Sequence, residues 1–230
     1  MSEHVKGIFA KIAPSYNAMN HLLSLGFDIS WNKQAVSECM LAKHEYSILD
    51  VATGTGNVAF GIESEAVKKG KRVSIIGIDI SKEMLDIARA RAVSKNSKVR
   101  FLEGDALQLA FPNSTFDAIA SAFALRNIDN LHTFAKEAFR VLKVGGKAIF
   151  MDMALPSSRY KRLLFKAYSP IIKIEGAAID KDAYCYLVKT INAFDKSAFL
   201  QAMAEAGFSN IRIKELALGI AFIVTGRKAY

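Results

Sequence analysis

The sequence predicts an α/β fold in which a mostly parallel sheet is covered by helices on both faces. Five apolar stretches of strand length are separated by stretches with helical spacing, an order typical of βαβ units. Several strands are apolar almost throughout, as in SIIGI at 74–78, which indicates burial on both faces. Two further strand-like stretches join near Leu218 and Gly219. They predict a C-terminal hairpin, and thus a seven-stranded sheet with one antiparallel strand.

The predicted elements follow a regular order after an N-terminal helical segment at 1–44, whose second helix is predicted at 31–42. Strands are predicted at 47–52, 72–79, 99–104, 116–122 and 147–153, and helices at 57–69, 81–94, 131–142 and 196–206. Residues 154–195 interrupt the alternation and are predicted to form a mostly helical insertion. We therefore predict a single domain over 1–230.

Composition and charge limit the possible functions but do not identify one. The chain is 51% hydrophobic and 23% charged, which is typical of a globular protein. Its net charge of +9 suits an anionic substrate, an anionic membrane surface or nucleic acid. Cys39 and Cys185 form no CxxC pair and the histidines lack metal-ligand spacing, so neither a disulfide scaffold nor a metal site is expected. With no signal-peptide or membrane-span pattern, we expect a cytoplasmic protein.

A glycine turn after the first predicted strand points to a nucleotide. In DVATGTGNVA at 50–59, Gly54 and Gly56 would let the chain turn sharply and approach a ligand closely. Asp79 ends the second strand, where a carboxylate can accept hydrogen bonds from ribose hydroxyls. The order of strand, glycine turn, helix, strand and acid therefore predicts a nucleotide site. The alternative is a simple tight turn, with Asp79 as the N-cap of the next helix.

The same pattern fits either NAD(P) or S-adenosylmethionine. Asp50, at the end of the first strand, is placed to meet a free amino group. A second acidic site at Asp105 and Ala106 follows the third strand, where adenine could be recognised. These features favour S-adenosylmethionine as the cofactor, bound at the carboxyl edge of the sheet.

Four longer segments carry a family resemblance. They are FAKIAPSYNAMNHLLSLGFDISW at 9–31, LDVATGTGN at 49–57, FALRNIDN at 123–130 with RVLKVGG at 140–146, and AFLQAMAEAGF at 198–208. On these segments the chain resembles the ubiquinone/menaquinone biosynthesis C-methyltransferases, which are class I S-adenosylmethionine-dependent enzymes. It departs from them at Ala122, where a serine is usual, and at Ala124, where a glycine is usual.

The resemblance implies a Rossmann-like class I methyltransferase fold with an N-terminal helical lid. It also implies methylation of a ring carbon of a demethylated prenyl quinol, in menaquinone biosynthesis (demethylmenaquinol to menaquinol), in ubiquinone biosynthesis, or in both. By matching positions, Thr55, Asp79, Asp105 and Ala106 would contact the cofactor. With Asp50, Gly54 and Gly56 they complete the predicted cofactor site.

Methylation of a ring carbon requires that an adjacent hydroxyl give up its proton. Arg126 stays protonated, so it would hold the phenolate oxygen or polarise a water, and Asn127 would orient the substrate or that water. The alternative is that Arg126 caps a helix or pairs with Asp129. Tyr16 and Asn20 are four residues apart on a predicted helix and would form a lid over cofactor and quinol. The alternative for Tyr16 is a core position.

Residues 159–173 combine basic and apolar side chains without an acidic residue. Such a helix would contact the inner face of an anionic membrane, where a prenyl quinol resides. The alternatives are a solvated basic face and part of a homodimer contact. Competing functions are methylation of another small molecule or of RNA, and non-catalytic binding of S-adenosylmethionine. Nucleic acid is not expected as a partner, because no Pro-Pro-aromatic element follows the fourth strand and no RNA-binding module is appended.

Overall fold

The computed structural model describes residues 26–156 and 185–229, together with the single positions 7, 21, 24 and 158. The strands are β1 Glu45–Val51, β2 Arg72–Asp79, β3 Arg100–Glu103, β4 Phe116–Ala122, β5 Leu142–Met153, β6 Phe208–Leu216 and β7 Ala221–Lys228. The helices are α1 Phe27–Glu38, α2 Asn57–Lys68, α3 Lys82–Ser94, α4 Leu131–Val141, α5, described over 185–193, and α6 Lys196–Glu205. Short 3₁₀ turns follow β4 at Leu125–Asn127 and β6 at Ala217–Gly219.

The seven strands form one sheet in the order β3-β2-β1-β4-β5-β7-β6. Neighbours from β3 to β5 are parallel, and β7 is antiparallel to both β5 and β6. The predicted Rossmann-like α/β sheet with one antiparallel strand is confirmed. Because the chain runs outward from β1 to β3 and then returns to β4, the strand order reverses between β1 and β4. In such sheets a ligand crevice opens at the carboxyl ends of the strands at this point.

The central strands are buried on both faces, as their apolar sequences predict. Ile48, Ala118 and Ile149 face a layer that includes Trp31 of α1 and Ala59 of α2. On the opposite face, a second cluster packs the remaining strand side chains against α4 and α6; it includes Leu49, Ile119, Phe134, Phe150 and Phe199. Since these side chains are almost fully removed from water, each contributes on the order of 2 kcal/mol to folding. This packing holds the carboxyl ends of the strands in fixed positions.

The first described helix begins four residues earlier than predicted and ends at Glu38 rather than at 42. Gly26 precedes it with φ +77°, a conformation that glycine adopts readily and that turns the chain into the helix. This shift places Asp28 and Asn32 on one helical face. The division into an N-terminal helical segment and a helical insertion stays a prediction, because most of 1–25 and all of 159–184 lie outside the described residues. None of the described helices is long and apolar enough to span a bilayer.

Candidate active site

Two neighbouring cavities open at the carboxyl edge, where the strand order reverses. The larger has about 700 Å³ of empty space, with its open mouth included, and extends over the ends of β2 and β4. The smaller, of about 450 Å³, lies between β1 and α1. Both are lined by Ala52, Gly54, Ala122 and Phe123. A ligand with two chemically different ends can therefore occupy both cavities, with its middle at the shared residues.

The two glycines of the turn have different roles. Gly54 has φ +55°, and a Cβ placed on it would have no atom within 4 Å, so it borders open space in both cavities. Gly56 has φ +83°, and its Cβ would lie 2.8 Å from the rings of Phe60 and Phe101. The packing of these two rings requires that Gly56 has no side chain, and its predicted part in ligand approach stays a prediction. It is in neither cavity lining.

Asp79 ends β2 and lines the larger cavity with only 8% of its surface exposed. One carboxylate oxygen accepts a hydrogen bond from the Gly54 N–H at 2.8 Å, and the other accepts one from the Ser81 N–H at 2.9 Å. Burial raises the pKa of Asp79, and these N–H donors lower it in part. The N-cap of α3 is Ser81 rather than Asp79. Each Asp79 oxygen keeps a lone pair that a ribose hydroxyl can use.

Asp50 ends β1 in the smaller cavity and is 1% exposed. Its carboxylate accepts a hydrogen bond of 2.6 Å from the Thr53 hydroxyl. Burial raises the pKa of Asp50 to about 7, an effect that the Thr53 hydrogen bond opposes and the nearby Asp79 carboxylate reinforces. A cationic ligand group beside Asp50 would restore its charged form. The predicted position of Asp50 next to an amino group is therefore chemically reasonable.

Two further polar residues of the smaller cavity, Asp28 and Asn32, lie on α1. Neither was predicted from the sequence as a site residue. Asp28 accepts a hydrogen bond from the Ser24 hydroxyl at 2.9 Å and contacts His21 Nδ1 at 3.0 Å. Asn32 Oδ1 is buried and has no hydrogen-bond partner among the described residues. An unmatched buried acceptor fits a ligand that brings a donor. The four-residue spacing of Asp28 and Asn32 would place both on one face of a helix. The helix was predicted to start at residue 31, however, so Asp28 was left outside it.

Thr55 and Arg91 are hydrogen-bonded to each other behind the glycine turn. Arg91 Nη1 donates to the Thr55 carbonyl at 2.6 Å and to its hydroxyl at 3.1 Å. Thr55 is 2% exposed and lines the smaller cavity. Its hydroxyl is thus engaged by Arg91, and the predicted contact of Thr55 with the cofactor stays a prediction.

Asp105 and Ala106 follow β3 and differ in position. Ala106 lines the larger cavity together with Gly104 and Leu107. Asp105 is in neither cavity lining, and its carboxylate accepts a hydrogen bond from the Leu107 N–H at 2.9 Å. Asp105 therefore shapes the loop that presents Ala106 and Leu107, and its predicted contact with adenine stays a prediction.

Arg126 and Asn127 lie in the 3₁₀ turn after β4, but only Asn127 lines the larger cavity. The Arg126 side chain is 5% exposed and forms an ion pair with the fully buried Asp152, whose carboxylate also accepts a hydrogen bond from the Arg126 N–H at 3.1 Å. This carboxylate partner lies on β5, whereas the alternative raised from the sequence had named Asp129. Asn127 Oδ1 accepts a hydrogen bond of 2.9 Å from the Tyr186 hydroxyl. A direct contact of Arg126 with a substrate oxygen stays a prediction.

Among the described residues, the charged side chains that line the two cavities are all negative. Three carboxylates line them, those of Asp28, Asp50 and Asp79. Among the residues that the structure describes, no Lys, Arg or His lines either cavity. A pyrophosphate would meet repulsion here, whereas a ligand with ammonium and sulfonium groups would be attracted. The electrostatics therefore favour S-adenosylmethionine over NAD(P).

Some predicted features cannot be placed. The lid residues Tyr16 and Asn20 and the basic, apolar segment 159–173 lie outside the described residues. Within the described ranges, no group of three or more His, Cys, Asp or Glu side chains is arranged to hold a metal ion.

Comparison with known proteins identifies the family. The family model described as "ubiE/COQ5 methyltransferase family" matches residues 1–228, and the chain belongs to this family. A demethylmenaquinone methyltransferase of Deinococcus radiodurans is 37% identical over 97% of this chain and 92% of its own. A ubiquinone/menaquinone biosynthesis C-methyltransferase UbiE of Geotalea daltonii is 34% identical over 98% and 97%. The family predicted from the motifs is confirmed.

Solved structures show the same fold at low sequence identity. A methyltransferase of Thermotoga maritima, named as S-adenosylmethionine-dependent and a possible histamine N-methyltransferase, has a TM-score of 0.68 at 21% identity, covering 96% of this chain and 98% of its own. A phosphoethanolamine N-methyltransferase of Haemonchus contortus in complex with S-adenosylmethionine has a TM-score of 0.63 at 16% identity, covering 86% and 52%. The predicted class I methyltransferase fold is confirmed.

Proposed function

We propose that this member of the ubiE/COQ5 methyltransferase family transfers a methyl group from S-adenosylmethionine to a ring carbon of a demethylated prenyl quinol. The reaction would convert demethylmenaquinol to menaquinol, serve ubiquinone biosynthesis, or both. The observation that carries the proposal is the pair of joined cavities, which open where the strand order reverses and whose charged lining residues, among those described, are all acidic. The names of the full-length relatives support the choice of acceptor.

The larger cavity suits the nucleoside. Asp79 is held by two backbone N–H groups at the end of β2, so its carboxylate is oriented before a ligand arrives. The apolar side chains of Ile80, Met84 and Leu107 line the same cavity and can contact a flat adenine ring. Asp105 would affect nucleoside binding indirectly, by holding the loop that carries Ala106 and Leu107.

The smaller cavity suits the amino-acid end. The Asp50 carboxylate and the unmatched Asn32 carbonyl oxygen are acceptors for an ammonium group. Gly54, with open space on its side-chain position, gives the backbone close access to the ligand. This arrangement would direct the ligand's centre toward Ala122 and Phe123, which border both cavities.

When bound, S-adenosylmethionine supplies an electrophilic methyl group on a sulfonium. The protein's task is then to align the acceptor, exclude water and stabilise the phenolate that makes the ring carbon nucleophilic. Asn127 lines the larger cavity beside Phe123 and can donate its amide N–H to the phenolate oxygen. Arg126 is engaged by Asp152, so we assign it to holding this turn. Tyr16 and Asn20 would close the site as a lid.

The acceptor would reach the site from a membrane. Residues 159–173 are proposed to rest on its inner, cytoplasmic face, and a homodimer contact through the same segment is the competing proposal.

The direct test is turnover with radiolabelled S-adenosylmethionine and two reduced acceptors in detergent micelles, demethylmenaquinol and a demethylated benzoquinol. We expect label in the quinol extract, and loss of that label in Asp79→Ala. The matched control is Asp86→Ala, which removes an exposed carboxylate of α3 that contacts Arg89. Binding of S-adenosylmethionine without methylation of either quinol would refute the proposed acceptor. Absence of binding would refute the cofactor site as well.

A further inference from the structure

Tyr186, near the described start of α5, reaches the turn that carries Asn127, which is 59 residues away in the chain. The Tyr186 hydroxyl donates a hydrogen bond of 2.9 Å to Asn127 Oδ1. On the other side of the amide, Asn127 Nδ2 lies 3.5 Å from the Phe123 carbonyl oxygen. Tyr186 itself is not in either cavity lining, whereas Asn127 and Phe123 both line the larger one.

These contacts determine which way the Asn127 amide points. The Phe123 carbonyl can only accept, so the NH₂ group must lie on its side. The amide oxygen then faces Tyr186, whose hydroxyl can donate to it. Because the Phe123 contact is long and uses only one of the two amide hydrogens, the NH₂ group keeps a donor for a ligand.

We propose that Tyr186 is a positioning residue for the methyl acceptor, whose hydroxyl fixes the Asn127 amide so that an N–H, and not the carbonyl oxygen, meets the acceptor's phenolate oxygen. The proposal rests on the proposed function. A reversed amide would present its oxygen to the phenolate and repel it, so the orientation of one amide affects the stability of the reactive form of the acceptor.

The surroundings of Tyr186 agree with a donor role. Burial raises the pKa of Tyr186, so its hydroxyl keeps the proton at neutral pH. The Arg126 cation lowers this pKa in part, and Asp129 raises it.

A purely structural tether between α5 and the turn would also use this hydrogen bond, so the test must separate positioning from folding. Tyr186→Phe removes only the hydroxyl. The matched control is Tyr46→Phe, because Tyr46 is a buried tyrosine at the start of β1 whose hydroxyl donates to Met40 Sδ at 3.6 Å, at the opposite edge of the sheet. Steady-state turnover on the quinol that the wild type methylates is measured for both, with S-adenosylmethionine affinity by calorimetry.

We expect Tyr186→Phe to lower kcat about tenfold, the size of one lost orienting hydrogen bond. S-adenosylmethionine affinity should stay within about twofold of wild type, since Tyr186 lines neither cavity and bonds none of the proposed cofactor contacts Asp50 and Asp79. Tyr46→Phe should behave as wild type. In the Asn127→Ala background, Tyr186→Phe should have no further effect on kcat, because the amide that it orients is gone.

Asn127→Asp provides a second test that does not depend on the tyrosine variant. It keeps the shape and the acceptor for Tyr186 but places a carboxylate oxygen against the phenolate, and turnover should fall at least as far as in Asn127→Ala. Turnover of Tyr186→Phe or Asn127→Asp equal to wild type would overturn the inference, as would losses that multiply in the double variant. A wild type that binds S-adenosylmethionine but methylates no quinol would instead overturn the proposed function, and this inference with it.

Discussion

Two buried aspartates at opposite edges of the sheet differ in their partners, because one is paired with lysines and the other is proposed to bind a ligand. Asp117 lies near the start of β4, where its carboxylate accepts hydrogen bonds from Lys43 at 2.6 Å and Lys143 at 2.8 Å. Burial alone would raise the pKa of Asp117, but these lysines and Ser47 hold it well below its usual range. Asp50, at the carboxyl edge of the neighbouring strand, has a raised pKa.

The difference lies in the partners and not in the burial. Asp117 is neutralised within the protein, so it stabilises the folded chain and leaves no charge for a ligand. In the part of the chain that the structure describes, no cationic side chain lines the smaller cavity. The Asp50 carboxylate therefore has no positively charged partner there. Asp152 is an instructive third case, because it lies at the carboxyl edge but is paired with Arg126. Pairing with a cation, rather than position at the carboxyl edge, therefore separates structural carboxylates from those that we propose to bind a ligand.

The largest effect is expected when the buried pair is broken. Asp152→Ala leaves Arg126 as an uncompensated charge that is only 5% exposed, and should lower the free energy of unfolding by about 3–5 kcal/mol. Arg126→Met should cost a similar amount by leaving Asp152 unpaired. Urea unfolding measures both. The double variant should be more stable than the sum of the two losses predicts; strict additivity would show that the pair is not coupled.

Replacing Asp50 or Asp117 by asparagine should change ligand affinity and stability in different ways. Asp50→Asn should weaken S-adenosylmethionine binding about tenfold, because a charged acceptor for the ammonium is lost, and should raise the unfolding free energy at neutral pH, because it removes a buried carboxylate with a raised pKa. Asp117→Asn should leave binding unchanged and lower stability by about 1 kcal/mol, a modest cost since both lysines are well exposed. Calorimetry and urea unfolding give the two quantities. Equal binding losses in both variants would contradict the comparison.

The smallest expected effect on binding is its pH dependence, which follows from the pKa of the two aspartates. The pKa of Asp50 is about 7 in the free protein, against about 3.9 when unfolded. Its contribution to stability is therefore present below about pH 4 and lost as the pH rises toward 7. Asp117, with a lowered pKa, contributes stability above about pH 4 that is lost on further acidification.

Binding of a cationic ligand favours ionised Asp50, so S-adenosylmethionine affinity should rise about fivefold between pH 6 and pH 7. Titration calorimetry in buffers of different protonation enthalpy would also detect the released proton. Asp50→Asn should flatten the profile, apart from a remainder from Asp79, whose pKa is also raised. An affinity that falls over this range would show that the bound group is not a cation.

Much of the fold followed from local patterns. The strands β2 and β5 contain stretches that are apolar almost throughout, SIIGI at 74–78 and KAIFM at 147–151, and the alternation of strands with helices predicts a parallel sheet. The same reasoning placed Asp50 and Asp79 at one edge, because parallel strands end together there. The start of α1 was predicted four residues too late. Gly26 turns the chain into the helix in a left-handed conformation, and the sequence alone does not show that this glycine adopts it.

The sequence by itself determined the sheet, its carboxyl-edge acids and the family, because these depend on residue order, on periodicity and on motifs that are contiguous in the chain. Only the tertiary structure decided the partners: Arg126 with Asp152, Tyr186 with Asn127, and Asn32 beside Asp50. These pairs join residues 18 to 59 positions apart. Side chains so distant meet through the packing of whole elements, and no local pattern in the chain encodes which of several polar neighbours will lie within hydrogen-bond distance.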